Sequence, residues 1–243
     1  MNKTVLKLNG SDDYFISEAY KTLRTNVRFC GQDIKVIAVT SNSAGEGKTT
    51  VSLNLGVSLA ELVKRVLIID TDMRKSVMAG RDSNARGAKG LSELLTGMCD
   101  LNEALYKTQY DGLSIIFAGQ YPPNPVELLS SLYFGKLIDS ARETYDYIIV
   151  DTPPLGMVVD AAVVAAHCDG AIFVMGKNVR CAEAQEVVGM IEKSGCRMLG
   201  AVINNAESKH KAYYRRADGD KSRKKLSFES IIQSFLLLFS KKR

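Results

Sequence analysis

Ile34-Lys-Val-Ile-Ala-Val-Thr-Ser-Asn-Ser-Ala-Gly-Glu-Gly-Lys-Thr-Thr50 is the stretch that decides the fold. Its first seven residues, Ile34 to Thr40, form a near-continuous apolar run, the pattern of a strand buried on both faces. A glycine-containing loop follows, and a helix is expected from about Thr49 to Leu62. A strand, a glycine loop and Gly-Lys-Thr opening a helix make the setting of a phosphate-cradling P-loop. There, backbone N–H groups converge on phosphate oxygens and the helix N-terminus adds positive potential. The candidate loop comprises Ser43, Ala44, Gly45, Glu46, Gly47, Lys48, Thr49 and Thr50, with Gly45 and Gly47 letting the main chain approach its ligand. For bound ATP, Lys48 would contact the β- and γ-phosphates and the Thr49 hydroxyl would ligate Mg²⁺. Asn42 stands where the pattern usually has its first glycine. The plainer reading, a helix N-cap with incidental glycines, does not account for the acidic strand ends downstream.

Working outward, Val66–Ile69, Leu113–Phe117, Tyr147–Val150, Ala171–Met175 and Met198–Ile203 are further apolar runs of strand length. Helical patterns separate most of them, around Leu91–Leu95, Pro125–Thr144, Asp160–His167 and Ala182–Ser194, and an exposed helix is expected over Glu18–Phe29. The alternation predicts an α/β fold: a P-loop NTPase three-layer sandwich with a mostly parallel central sheet and helices on both faces. Asp70 and Asp72 follow one apolar strand and Asp151 follows another. In a parallel sheet the C-terminal strand ends share one edge, so Lys48, Asp70, Asp72 and Asp151 should meet there as candidate catalytic residues. Carboxylates beside a triphosphate suit a hard cation, with Thr49, Asp70 and Asp151 as candidate ligands. Asp70 or Asp72 could accept the proton of an attacking hydroxyl, and the pattern does not choose between them. A lone aspartate after a strand is often only a turn or cap residue. Two such ends downstream of a P-loop favour the functional reading.

The chain of 243 residues suits one α/β domain, expected over residues 1–205, with a tail over residues 206–243. The net charge of +5 is concentrated in that tail, so no nucleic-acid partner is inferred. Five cysteines without metal-ligand spacing and only two histidines argue against a histidine- or cysteine-based metal site and suit a reducing cytosol. Residues 1–10 hold no apolar signal core, and no apolar run approaches the ~20 residues that span a bilayer.

These motifs together resemble the bacterial tyrosine kinases of capsule and exopolysaccharide synthesis, over roughly Ser17 to Asn205. The Lys48 loop looks like their Walker A, Asp70-Thr-Asp-Met-Arg74 like their Walker A′ and Val150-Asp-Thr-Pro-Pro154 like their Walker B. Three further stretches are similar: Lys89-Gly-Leu-Ser-Glu-Leu-Leu-Thr-Gly97, Asp151 to Ala161 as a block, and the more selective Gly119-Gln-Tyr-Pro-Pro-Asn-Pro-Val-Glu-Leu-Leu129. The runner-up is a MinD/ParA-like non-kinase ATPase switch at the membrane; those ATPases carry an extra lysine where this chain has Ser43. The resemblance implies transfer of the ATP γ-phosphoryl group to a tyrosine hydroxyl, with Lys48 and Thr49 holding nucleotide and Mg²⁺ and Asp151 supporting the metal. It also implies phosphoacceptors at Tyr213 and Tyr214, a sparse version of the family's tyrosine cluster. Glu18, Lys21 and Arg24 resemble its subunit contact, implying a ring-type homo-oligomer. The further partners implied are a membrane activator of the polysaccharide chain-length regulator type and a tyrosine phosphatase. The chain would then be cytoplasmic, recruited to the inner face of the cell membrane through the activator. Phe228 to Phe239, before Lys241-Lys-Arg243, has apolar residues compatible with a short amphipathic helix.

Overall fold

All six apolar runs become strands: β2 (Val36–Ser41), β3 (Val66–Asp70), β5 (Leu113–Ile116), β6 (Tyr147–Asp151), β7 (Gly170–Met175) and β8 (Arg197–Ile203). The computed structural model describes residues 5–6, 14–81, 87–176 and 179–204; the expected tail, with Tyr213 and Tyr214, lies outside the described residues. Two short strands complete the sheet, β1 (Val5–Leu6) and β4 (Leu105–Thr108), in the order β1-β4-β5-β3-β6-β2-β7-β8. Every neighbouring pair is parallel except β4 with β5. The strand that feeds the P-loop, β2, is interior, between β6 and β7.

Strand parity divides the core, because successive side chains point to opposite faces. Ile37, Val39, Ile68, Ile115, Ile149, Ile172 and Val174 meet α1 (Tyr14–Phe29) and α2 (Lys48–Ala60) through Val27, Val51, Leu55 and Leu59. Val36, Leu67, Ile69, Ile116, Ile148 and Val150 meet the opposite layer. That layer consists of α3 (Leu91–Leu95), α5 (Pro125–Leu129), α6 (Leu132–Thr144) and α7 (Asp160–Ala165), which contribute Leu91, Leu129, Phe134, Ile138 and Val164. The last helix, α8 (Cys181–Lys193), packs beside β8. This is the three-layer sandwich expected from the alternation.

Two local expectations need correction. The helix expected over Pro125–Thr144 is two helices, α5 and α6, because Ser131 leaves helical geometry and its hydroxyl caps the Phe134 N–H at 3.4 Å. Between α3 and β5 the chain also forms α4 (Leu101–Ala104), capped by the Asp100 carboxylate on the Glu103 N–H at 3.0 Å, and then the antiparallel β4. Both pieces are too short, and β4 too exposed, to leave a periodic signal.

Asp169, just before β7, fastens the N-terminal ends of the sheet. Its Oδ2 accepts the N–H groups of Lys35 (2.8 Å) and Val36 (2.7 Å) and the Arg142 guanidinium from α6 (2.8 Å). Burial pushes this carboxyl up, but the Arg142 and backbone donors together outweigh it and hold the group below the usual range. Asp169→Ala should lower stability by about 1–3 kcal/mol, read from the urea midpoint at neutral pH. A folded-state pKa below the unfolded one contributes stability that is lost as pH falls, so the wild-type advantage should shrink below about pH 4.

Candidate active site

The P-loop residues Ser43 to Thr50 span the turn from β2 into the start of α2. Gly45 and Gly47 take left-handed φ values of 82° and 95°, which side chains resist. At Gly47 space also forbids a side chain, since a Cβ would run into the Asn204 amide. No side chain caps the N-terminus of α2, so its first N–H groups remain available to an anion. The Glu46 carboxylate accepts the N–H of Ser43 at 2.9 Å and that of Gly176 at 3.4 Å, and Asn204 donates to the Glu46 carbonyl at 3.0 Å. The loop is therefore tied to the ends of β7 and β8. Asn42, at the missing-glycine position, lies against the backbone of Gly156, where a Cβ would collide with it. Lys48 is only 7% exposed.

β3 and β6 are adjacent, with Asp70 opposite Asp151, and both carboxylates are buried. Asp151 accepts the Thr49 hydroxyl on Oδ2 at 2.6 Å and the Ser52 hydroxyl on Oδ1 at 2.9 Å. Asp70 accepts the Ser76 hydroxyl at 2.5 Å and the Asp72 N–H at 3.0 Å. Asp72 is half-buried and accepts the Lys75 N–H on Oδ1 at 3.0 Å. Arg74 does not point at this group; it pairs with the buried Asp160 at 2.8 Å. Lys48, Thr49, Asp70, Asp72 and Asp151 thus share one sheet edge, as the strand-end argument required. Ser52, Asp160 and Asn204 were not foreseen, because their partners lie across the fold, and Ser76, six residues after Asp70, reaches it only through the turn that leaves β3. Ser52 alone had a local signal, being one helical turn from Thr49.

Burial pushes Asp151 up to about 6, against the pull of the Thr49 hydroxyl and the Lys48 charge. Burial first and the Asp151 charge second drive Asp70 well above the usual carboxylate range. Two buried carboxyls side by side cannot both ionise without a counter-charge. A divalent cation supplies one, and the hydroxyl and carboxylate oxygens of Thr49, Asp70 and Asp151 are the hard donors that Mg²⁺ selects. No group of three Asp, Glu, His or Cys side chains among the described residues forms a complete metal cage. Mg²⁺ does not need one, since it commonly keeps waters and phosphate oxygens beside one or two protein ligands.

The Lys89–Gly97 stretch and the selective Gly119–Leu129 run also come together. The N–H groups of Leu91 and Ser92 bond the carbonyls of Phe117 and Ala118 at 2.7 and 3.0 Å. Glu93 accepts the N–H of Gly90 at 2.8 Å and that of Gln120 at 3.0 Å. Gly90 packs so closely on the Phe117–Gly119 backbone that no Cβ would fit. The subunit-contact candidates are satisfied within the chain: Lys21 pairs with Glu18 at 2.8 Å, and Arg24 bonds the Ser58 carbonyl at 2.5 Å and Glu61 at 3.4 Å.

A pH dependence follows from the carboxylate pair. The native state holds these protons more tightly than the unfolded chain, so their stabilising contribution is complete below about pH 4 and is lost as pH rises, through about 6 for Asp151 and in the same direction for Asp70. The urea midpoint of the nucleotide-free protein should therefore fall across that window relative to Asp70→Asn. Parallel pH profiles for the two proteins would refute the shared-proton account.

A family model described as an AAA domain matches residues 34–175. The tyrosine-protein kinase CpsD of Streptococcus agalactiae is 38% identical over 197 residues, covering 81% of this chain and 86% of the relative. The kinase domain of Escherichia coli tyrosine kinase ETK matches with a TM-score of 0.72 at 33% identity, covering 79% of this chain and 78% of that one. The cell-division ATPase MinD of Pyrococcus furiosus matches with a TM-score of 0.57 at 26% identity, covering 70% of this chain and 71% of that one. Fold and sequence both lie nearer the kinase than MinD. With the Walker boxes on one sheet edge and a kinase relative matched over four-fifths of its length, the chain belongs to the bacterial tyrosine kinase family.

Proposed function

We propose that this chain is an ATP-dependent protein-tyrosine kinase acting in capsular or exopolysaccharide synthesis. The observation that carries the reading is the Thr49 hydroxyl donating to Asp151 at 2.6 Å, with Asp70 directly across the strand pair. With its proton committed to Asp151, the Thr49 oxygen keeps its lone pairs for Mg²⁺. The metal, when bound, neutralises charge on the β- and γ-phosphates. The P-loop N–H groups and Lys48 hold those phosphates. Asp72 is the base: one of its oxygens is occupied by the Lys75 N–H, and as the more exposed of the two candidates it can meet an incoming phenol. The phenolic proton passes to Asp72, the tyrosine oxygen bonds to the γ-phosphorus, the bond from that phosphorus to the β–γ bridging oxygen breaks, and ADP leaves. Asp70, held by Ser76 and the Asp72 N–H, supports the metal side.

Tyr213 and Tyr214 are the proposed acceptors, presented by neighbouring subunits of a ring built around Glu18, Lys21 and Arg24. Because these three are paired internally, ring formation would exchange intrachain partners for intersubunit ones. No helix among the described residues is long and apolar enough to cross a membrane. Recruitment to the inner face of the membrane is assigned, by the family resemblance, to an activator of the chain-length regulator type, and dephosphorylation to a tyrosine phosphatase.

Lys48→Ala should reduce ATP-dependent phosphotyrosine at Tyr213 and Tyr214 by about 100-fold or more, counted by phosphopeptide mass spectrometry. Asp72→Asn should lower kcat while leaving ATP affinity near the wild-type value. ATP turnover without phosphotyrosine, even with an activator present, would replace the kinase reading with the MinD-like switch.

A further inference from the structure

The sheet edge opposite the active site holds a cavity of about 410 Å³. Its walls come from the end of α1, the turn into β2, and the starts of β3 and β6. At ~3.3 Å per residue, a strand of β2's length puts it roughly 17 Å from the P-loop. Arg28, Lys35 and Lys64 line it with Asp146, and the Asp33 carboxylate lies against Gly31 of the same lining. One oxygen of Asp146 is already engaged by the Arg65 N–H at 2.8 Å. Among the described residues the Lys35 ammonium reaches only a carbonyl, that of Arg142, at 3.2 Å. Among the described residues Arg28 and Lys64 form no ion pair. Arg28 and Tyr147 line the same cavity; burial pushes the Tyr147 phenol up and the Arg28 charge draws it part of the way back.

A second observation lies on the rim. Arg24 of α1 bonds Ser58 and Glu61 of α2 and its end, so the two helices finish on the same side. Phe29 ends α1 at 83% exposed, and Val63, just past α2, is 94% exposed. Val63 also sits at φ 59°, left-handed backbone that a β-branched residue adopts only under strain. Large apolar side chains in water beside unpaired cations are what a protein presents to a charged lipid surface.

We propose that this edge docks on an anionic membrane, its cavity taking the phosphate of a lipid headgroup while Phe29 and Val63 enter the headgroup layer. The cations supply attraction to the surface, and the apolar pair supplies burial that a free phosphate ester could not. The P-loop edge then faces away from the lipid and stays open to nucleotide. The docking goes beyond the kinase reading and requires nothing from it.

The chain contains no tryptophan, so Phe29→Trp places a single reporter at the rim of the full-length protein. Its emission should shift to the blue on vesicles of phosphatidylcholine with phosphatidylglycerol, and be quenched by acyl-brominated lipid. Phosphatidylcholine alone should leave it unmoved. Adding R28E and K64E should weaken the response about 25-fold or more, at roughly five-fold for each basic residue near the surface. An unmoved reporter while the protein still sediments with the vesicles would overturn the proposal, by assigning binding to other residues. So would a response indifferent to R28E/K64E, or a response to free glycerol 3-phosphate with none to vesicles. Lys48-dependent phosphotyrosine should persist in these variants, which separates a failure of docking from a failure of the kinase reading and reports that they fold.

Discussion

The structure turns on one buried carboxylate. Asp151 sits at the end of β6 with both oxygens engaged by hydroxyls of α2, Thr49 and Ser52. Its carbonyl takes the N–H of Thr71 at 2.8 Å and the Thr71 hydroxyl at 2.9 Å, beyond the end of β3. One residue thereby joins the P-loop helix, the Walker B strand and the Walker A′ loop. Neutral hydroxyl donors satisfy the lone pairs without cancelling the charge, so the carboxylate stays costly to ionise until a cation arrives. The same geometry that anchors the fold keeps the site incomplete without its metal and nucleotide. Stability has been given up locally to hold acidic groups where phosphate chemistry needs them.

How far the fold was legible depended on burial. An interior strand covered on both faces is near-continuously apolar, and β2, β3, β5, β6 and β7 announced themselves in that way, while the edge strand β8 carried a comparable apolar run with none of its residues fully buried. By contrast β4 shows only Thr108 buried, so its sequence carries neither a continuous nor a clean alternating pattern. The break between α5 and α6 was hidden for another reason. Leu129 and Phe134 both reach the same core, so the apolar record runs unbroken and only the Ser131 cap marks the boundary. At the site, glycines and strand-terminal acids were readable because their roles are set by local backbone and strand direction. Asn204 was not, because what it touches is decided by packing, and Ser76 was not, because the turn that brings it back to Asp70 leaves no periodic signal.

The most selective stretches of the sequence have a structural explanation. Lys89–Gly97 and Gly119–Leu129 are complementary halves of one clamp, with Gly90 forced by backbone contact and Glu93 bridging the two. Burial raises the Glu93 carboxyl, yet the Gly90 and Gln120 N–H groups and its remaining donors outweigh that and hold it ionised. Pro125 then starts α5 at a position where its missing N–H costs nothing. The clamp leaves Tyr121 62% exposed, while Arg74 is turned away from the carboxylates by Asp160.

A largely parallel sheet makes its two edges chemically unequal, and this chain uses both. All the strands around the site point the same way, so the loops leaving them gather Asp70, Asp72, Asp151 and the P-loop at one end. The loops entering them gather Arg28, Lys35 and Lys64 at the other. Acidic groups beside a polyphosphate would repel it unless metal and lysine intervened, which confines nucleotide to the one place where both are available. At the far edge Arg28, Lys35 and Lys64 form no ion pair among the described residues, although Asp146 lies beside them. Charge separation along the strand direction therefore gives the domain a fixed orientation relative to any anionic surface it meets. A reaction centred on one edge and attachment through the other can proceed without competing for the same residues.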